Sequence, residues 1–199
     1  MVAFASRRER RLWLWVLAVV AAIYSTLGLT GTLAGVLRDR DLLDATFFFV
    51  FLVLEASIVV IALRSRPGIT EIGVLLGVIA AYALAFSRMA STEERTHLVE
   101  YGLLAILILE ALRERSSRGH AVPVPSLLAI GAAGIVGVLD EVIQAFIPNR
   151  VFDPIDIGFN ALAAVMAVAT SLVLARAKRW RSDRAVRVRT QHGKDDQIR

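Results

Sequence analysis

Apolar residues fall into six blocks along the chain, and short linkers that are polar or carry Pro and Gly separate them. The blocks cover residues 12–37, 42–63, 69–87, 92–112, 126–147 and 154–175. Most are close to the roughly 20 residues that a helix needs to cross a bilayer. Lipid offers the backbone no hydrogen-bond partners, and the blocks lack the two-residue alternation of barrel strands. The pattern therefore predicts an all-α, polytopic membrane protein with six transmembrane helices.

Composition narrows the possible classes of protein. Hydrophobic residues make up 56% of the 199 positions, above the roughly 45–50% of soluble domains. No linker between the blocks is long enough to fold alone, which excludes a soluble enzyme with a membrane anchor. The absence of Cys excludes disulfide scaffolds, thiolate metal sites and cysteine nucleophiles.

The basic residues predict the orientation of the spans. Of the 23 Lys and Arg, 18 lie before the first span, after the second and fourth spans, or in the tail. Cytoplasmic segments of membrane proteins carry such an excess, so we expect both termini in the cytoplasm of a bacterial cell. The basic tail at 176–199 is predicted to be disordered and to lie against anionic lipid, and nucleic acid is not expected as a partner.

Polar side chains inside the spans concentrate on the fourth, fifth and sixth. An ionisable group there costs about 2.5–3.5 kcal/mol or more, so such residues are candidates for function. The Ser91-x-x-Glu94 capping box places the start of the fourth helix near Thr92, and Asp153 is a predicted N-cap before Pro154. The candidate binding residues are Arg95, His97, Glu100, Tyr101, Asp140, Glu141, Gln144, Arg150, Asp153, Asp156 and Asn160.

The predicted topology brings these residues to one depth. The fourth and sixth spans enter the membrane from outside at their polar ends, and the fifth span leaves it there. We therefore expect three polar helix faces to meet in the outer part of the membrane. The same fifth span also carries Gly131, Gly134 and Gly137, which form a small-residue helix face inside the span and are not a nucleotide-binding loop.

Two segments resemble the signatures of a known family. The segment 93–102, EERTHLVEYG, and the pattern DExxQxxxPNRVFDxxDxxxN at 140–160 resemble those of the VanZ-like family of bacterial membrane proteins. The resemblance covers 69–175, as a four-helix domain, and leaves 1–68 as a basic segment with an added helical pair. It implies a cell-envelope protein, since the founding member is linked to teicoplanin resistance. It implies no established chemistry.

The residues leave several roles open for the polar cluster. In a structural network, Arg150 would form an ion pair with Asp140, Glu141 or Asp153, and Gln144 and Asn160 would bridge other members of the cluster. As a binding site, Arg95, Arg150 and the start of the sixth helix would hold a phosphate, and the acids would hold a cation or hydroxyl groups.

An enzyme is a further alternative. Asp140, Glu141 and Asp156 would bind a divalent cation, and His97 or Glu100 would act as base on a lipid-linked envelope precursor. A proton-coupled transporter would also need Glu55, which lies in the middle of the second span. We expect an envelope role at the membrane that changes sensitivity to glycopeptide-type amphiphiles, with the metal-dependent hydrolase or transferase as the alternative.

Overall fold

The computed structural model describes residues 4–38, 68–88, 92–147 and 152–197, and every regular element in those ranges is an α-helix. The helices are α1 (Arg7–Arg38), α2 (Ile69–Arg88), α3 (Thr92–Ser117), α4 (Pro125–Gln144) and α5 (Pro154–Gln197). The prediction of an all-α fold is confirmed for these residues. The predicted second span at 42–63, with Glu55, and the residue Arg150 lie outside them.

Two of the helices are long and apolar enough to cross a membrane, within the ranges that the structure describes. They are Pro125–Gln144 and Pro154–Asp183, and the helix Ile69–Ala85 is a shorter apolar stretch. Only 28% of each long apolar window is buried within the protein. A helix from the core of a soluble protein would be mostly buried, whereas α4 exposes Leu127, Ile135 and Leu139.

Capping residues explain where α1 and α5 begin. The Asp153 carboxylate accepts a hydrogen bond from the Ile155 N–H at 2.8 Å, which confirms the predicted N-cap before Pro154. The Ser6 hydroxyl accepts one from the Glu9 N–H at 3.0 Å. The sequence Ser6-x-x-Glu9 is thus a capping motif that the sequence analysis did not single out.

The ends of two helices differ from the prediction. The sequence analysis ends the sixth span at residue 175 and expects a disordered tail, whereas α5 continues to Gln197. The tail has no Pro, and its Ala, Arg and Lys residues have high helix propensity, which favours continuation of the helix despite Gly193. In contrast, α4 stops at Gln144 rather than at residue 147, in a turn that closes hydrogen bonds back to Glu141 and Ile143.

The chain divides into two compact units. The first contains residues 1–50 and 89–169, and its described part holds α1, α3, α4 and the first turns of α5. Small residues let these helices approach closely: a Cβ on Gly102 of α3 would lie 3.6 Å from the Ala167 Cβ of α5. Tyr24 of α1 donates a hydrogen bond to the Val136 carbonyl of α4 at 3.1 Å.

The second unit contains residues 51–88 and 170–199, and α2 packs there along the later part of α5. Glu71, in the first turn of α2, accepts hydrogen bonds from the Gly68 N–H at 2.6 Å and from Arg181 at 2.8 Å. Further along α2, Tyr82 is hydrogen-bonded to Thr170. The order of these contacts shows that α2 runs antiparallel to α5.

Candidate polar site

A buried polar site forms in the first unit where the start of α3, the end of α4 and the start of α5 meet. All its members are at most intermediate in exposure, and five of them are nearly inaccessible to solvent. We call this group the polar site, and its members are Tyr101, Asp140, Glu141, Gln144, Asp153 and Asn160. The structure therefore brings together residues that lie up to 59 positions apart in the sequence.

Tyr101 connects α3 to α4. Its side chain is fully buried, and its hydroxyl donates a hydrogen bond to the Asp140 Oδ2 at 2.8 Å. Asp140 is also buried, so this bond to a charged acceptor is shielded from water and is stronger than a surface bond of the same length. The phenol thereby fixes the carboxylate against α3.

Gln144 holds the two adjacent carboxylates of α4 on one face. Its Nε2 donates to the Glu141 Oε1 at 3.1 Å and lies 3.5 Å from the Asp140 Oδ2. Residues three and four apart on a helix are neighbours, which is why a single carboxamide reaches both acids. The prediction that Gln144 bridges within the cluster is confirmed by this geometry.

Glu141 connects α4 to the start of α5. Its Oε2 accepts a hydrogen bond from the backbone N–H of Asp153 at 3.1 Å. Asp153 therefore serves twice, since its side chain caps α5 and its backbone holds Glu141. Glu141 has no measurable exposed surface, so this carboxylate lies entirely within the protein.

Asn160, two turns into α5, faces Gly137 of α4. A Cβ on Gly137 would lie 2.8 Å from the Asn160 Cβ and 3.0 Å from its Nδ2, so only glycine allows this approach. Asn160 is 1% exposed, and neither its Oδ1 nor its Nδ2 has a hydrogen-bond partner among the described residues. The predicted bridging role of Asn160 is not seen in that part of the chain.

The remaining candidates lie around this site. The His97 ring is nearly perpendicular to the Tyr101 ring, at 86° and 5.8 Å between centroids, and His97 is buried. Glu100, partly buried on α3, is repelled by the charge of Asp140. Arg95 and Asp156 are both of intermediate exposure at the first turns of α3 and α5.

The described residues contain no group of three His, Asp or Glu side chains that could hold a metal ion. Asp140 and Glu141 are adjacent, but Asp156 does not complete a site with them. The hypothesis of a divalent cation with His97 or Glu100 as base therefore has no geometric support in the part of the chain that the structure describes.

A second charged group lies at the far end of α3, where it meets the start of α1. We call it the ion-pair cluster. Glu9 is fully buried and pairs with Arg115 at 3.0 Å. The other members are Ser6, Arg8, Glu110, Arg113, Glu114 and Arg118, whose contacts are Ser6–Glu114 at 2.8 Å, Arg8–Glu110 at 3.2 Å, Arg8–Glu114 at 3.5 Å, Arg113–Glu110 at 3.0 Å and Arg118–Glu114 at 3.2 Å.

Sequence analysis missed this cluster because it used these arginines only to predict orientation. Burial disfavours the charge on Glu9, but hydrogen bonds from Ala5, Arg115 and Trp13 outweigh it and lower its pKa. The Ser6 hydroxyl, against the opposing effect of burial, lowers the pKa of Glu114, and Arg118 and Arg8 lower it further. The cluster thus fixes the start of α1 to the end of α3.

The comparisons with known proteins found no relative of this chain. No protein-family model, no curated protein and no solved structure matches the chain. The functional argument accordingly rests on the residues of the polar site, their geometry and the surface around them.

Proposed function

We propose that the chain crosses the bacterial cytoplasmic membrane six times, with both termini in the cytoplasm. Each of the five helices is at least 20 residues long, about 30 Å or more, and so is long enough to cross the hydrocarbon core of a bilayer; two of them, α4 and α5, are also apolar enough to do so. In the first unit the basic N-terminal segment meets the basic end of α3. In the second unit Arg181 meets the start of α2. Both pairings agree with the orientation that the charges predict.

We propose further that the polar site binds the head group of an amphiphile at the outer leaflet and so changes how the cell surface responds to glycopeptide and lipoglycopeptide amphiphiles. This is the envelope role that the resemblance to the VanZ-like family implies. Membrane lipid, and a glycopeptide or lipid-linked envelope precursor, are the proposed partners.

The observation that carries the proposal is the burial of two adjacent carboxylates, Asp140 and Glu141, among three helices, two of which, α4 and α5, expose many large apolar side chains. Burying such acids yields little or no stability compared with apolar residues of similar size. Ionisable groups inside membrane segments are therefore functional candidates by default. A purely structural network would be served as well by apolar packing at these positions.

A metal-dependent hydrolase is less well supported. It needs a third ligand beside Asp140 and Glu141, which the described residues do not supply. The transporter hypothesis depends on Glu55, outside the described residues, and gains no support from them.

Drug susceptibility in a glycopeptide-sensitive bacterial host tests the proposal. The host would express the wild type, Glu141→Gln or Glu71→Gln, with membrane levels matched by blotting. Glu71→Gln is a matched control, because Glu71 is also a buried acid but lies in the second unit. We expect the wild type and Glu71→Gln to change the inhibitory concentration of teicoplanin-type drugs, and Glu141→Gln at equal abundance to have no effect.

Three results would contradict this proposal. The wild type could leave susceptibility unchanged, which would remove the envelope role. Alternatively, Glu141→Gln could act as well as the wild type, which would leave the polar site as a structural network. Loss of Glu141→Gln from the membrane would also indicate a structural network, because a residue needed for folding is not thereby a binding residue.

A further inference from the structure

We infer that the part of the ligand that enters the polar site is a neutral, hydroxyl-bearing group, such as the sugar head group of a glycolipid. This inference rests on the proposed function and specifies the chemical class of its ligand. It starts from Asn160, whose buried carboxamide meets no hydrogen-bond partner among the described residues.

The hydrogen-bonding capacity of Asn160 limits what can lie beside it. Its Oδ1 is an acceptor and its Nδ2 carries two donors, so a complete partner must both donate and accept. An ammonium group only donates and would leave Nδ2 without an acceptor. A phosphate only accepts when fully ionised and would leave Oδ1 without a donor. A hydroxyl group does both.

The acids on the same face of α4 also favour a hydroxyl-bearing ligand. Gly137, which contacts Asn160, shares the buried face of α4 with Asp140, Glu141 and Gln144. Hydroxyl groups donate hydrogen bonds to carboxylates, whereas an ionised carboxylate offers a phosphate no donor and repels it at low dielectric.

A polar side chain that is buried without a hydrogen-bond partner destabilises the fold, so a ligand role for Asn160 can be tested by measuring stability. A buried polar group without a partner loses its hydration and gains no hydrogen bond in exchange. Leu has nearly the shape of Asn and no polar atoms, so Asn160→Leu removes this cost. If Asn160 serves a ligand, the variant should be at least as stable as the wild type without ligand and should lose the response to ligand.

Thermal unfolding of the full chain in phosphatidylglycerol nanodiscs tests the inference. The probes are monoglucosyl diacylglycerol, diacylglycerol without the sugar, phosphatidic acid and octadecylamine. We expect only the glucosyl lipid to raise the wild-type Tm, by about 3–6 °C at roughly ten times its Kd. Gln191→Leu, which removes a carboxamide from the basic extension of α5, should keep that rise, and Asn160→Leu should lose it.

Several results would overturn the inference. Diacylglycerol could raise the Tm as much as the glucosyl lipid, or only octadecylamine or only phosphatidic acid could raise it. A Tm unchanged by all four probes would also overturn it and would leave a water molecule as the partner of Asn160. Asn160→Leu could lower the ligand-free Tm or keep the response to the glucosyl lipid. A failure of the proposed function can be told apart from these results, because that function is tested by drug susceptibility and by Glu141→Gln.

Discussion

Replacing Gly137 with Ala places a methyl group in the contact that brings α4 and α5 together at the polar site. The new Cβ would lie 2.8 Å from the Asn160 Cβ and 3.2 Å from its Cγ. The Asn160 Cβ is the first atom of its side chain, so a change of rotamer cannot move it away. The backbones of the two helices must separate instead.

The size of the effect follows from two opposed contributions to the free energy of unfolding. Overpacking of this kind costs about 1–3 kcal/mol. Ala gains about 1 kcal/mol over Gly in a helix interior. At Gly131, on the same helix, an added Cβ would have no heavy atom of the described residues within 4 Å, so Gly131→Ala should show the gain alone. The two variants should therefore differ by about 1–3 kcal/mol, with Gly137→Ala the less stable.

Thermal unfolding of both variants in one detergent or nanodisc preparation measures this difference. For a chain of this length, 1 kcal/mol corresponds to about 2–4 °C, so Gly137→Ala should melt roughly 2–12 °C below Gly131→Ala. Equal melting temperatures would refute the close approach of Gly137 and Asn160, and with it the joining of α4 to α5 on which the site depends.

Three further predictions concern the two polar groups. Tyr101→Phe should lower the free energy of unfolding by about 1.5–3 kcal/mol, because it removes the hydrogen-bond donor to the buried Asp140. A calorimetric Tm within about 1 °C of the wild type, roughly the shift expected from a surface change, would contradict this prediction. Arg115→Ala should lower the free energy of unfolding by about 1.5–3 kcal/mol, since it leaves Glu9 buried without its cation. Arg118→Ala should lower it by less than about 1 kcal/mol, because the Arg118 side chain is 57% exposed. Chemical denaturation would compare the two, and equal losses would refute the ranking. The pKa values of Glu9 and Glu114 lie below their ordinary 4.5 in the folded chain, so their stabilising effect is present above that pH and is lost as pH falls through the lower folded values. A Tm-against-pH series should show a smaller acid loss in the double variant Glu9→Gln and Glu114→Gln, and an unchanged acid loss would count against the assignment.

Local signals made part of the fold predictable from the sequence. The starts of α3 at Thr92 and of α5 at Pro154 agree with the predicted boundaries, because capping residues and an N-terminal Pro act within one turn. The meeting of Tyr101 with Asp140 and of Glu141 with Asp153 follows from helix direction and depth. Successive helices joined by short linkers run antiparallel, so the end of α4 lies at the same level as the starts of α3 and α5.

Other features depend on contacts that a single sequence does not reveal. Glu9 and Arg115 are 106 positions apart, and both lie in charged segments where an arginine is expected whether or not it has a partner. Gly137 looks like Gly131 and Gly134 in the sequence, yet within the part of the chain that the structure describes only Gly137 of these three closely approaches another helix. The register of α4 against α5 decides that difference, and it also decides the place of Asn160.

The extension of α5 shows a different limit. Charge and polarity at 176–197 favoured a disordered tail, whereas helix propensity and the long apolar segment before it continue the helix. Propagating an existing helix costs far less than nucleating a new one, so a preceding apolar helix favours helix in a tail that would not fold alone.

Cysteine labelling in intact cells tests most directly that the polar site lies at the outer face of the membrane. The chain has no Cys, so single substitutions at Asn149, between α4 and α5, and at His120, between α3 and α4, report the two ends of α4. A membrane-impermeant maleimide should label Asn149→Cys in intact cells and His120→Cys only after the cells are made permeable. Labelling in the reverse order would place the polar site at the cytoplasmic face and contradict its role at the outer leaflet.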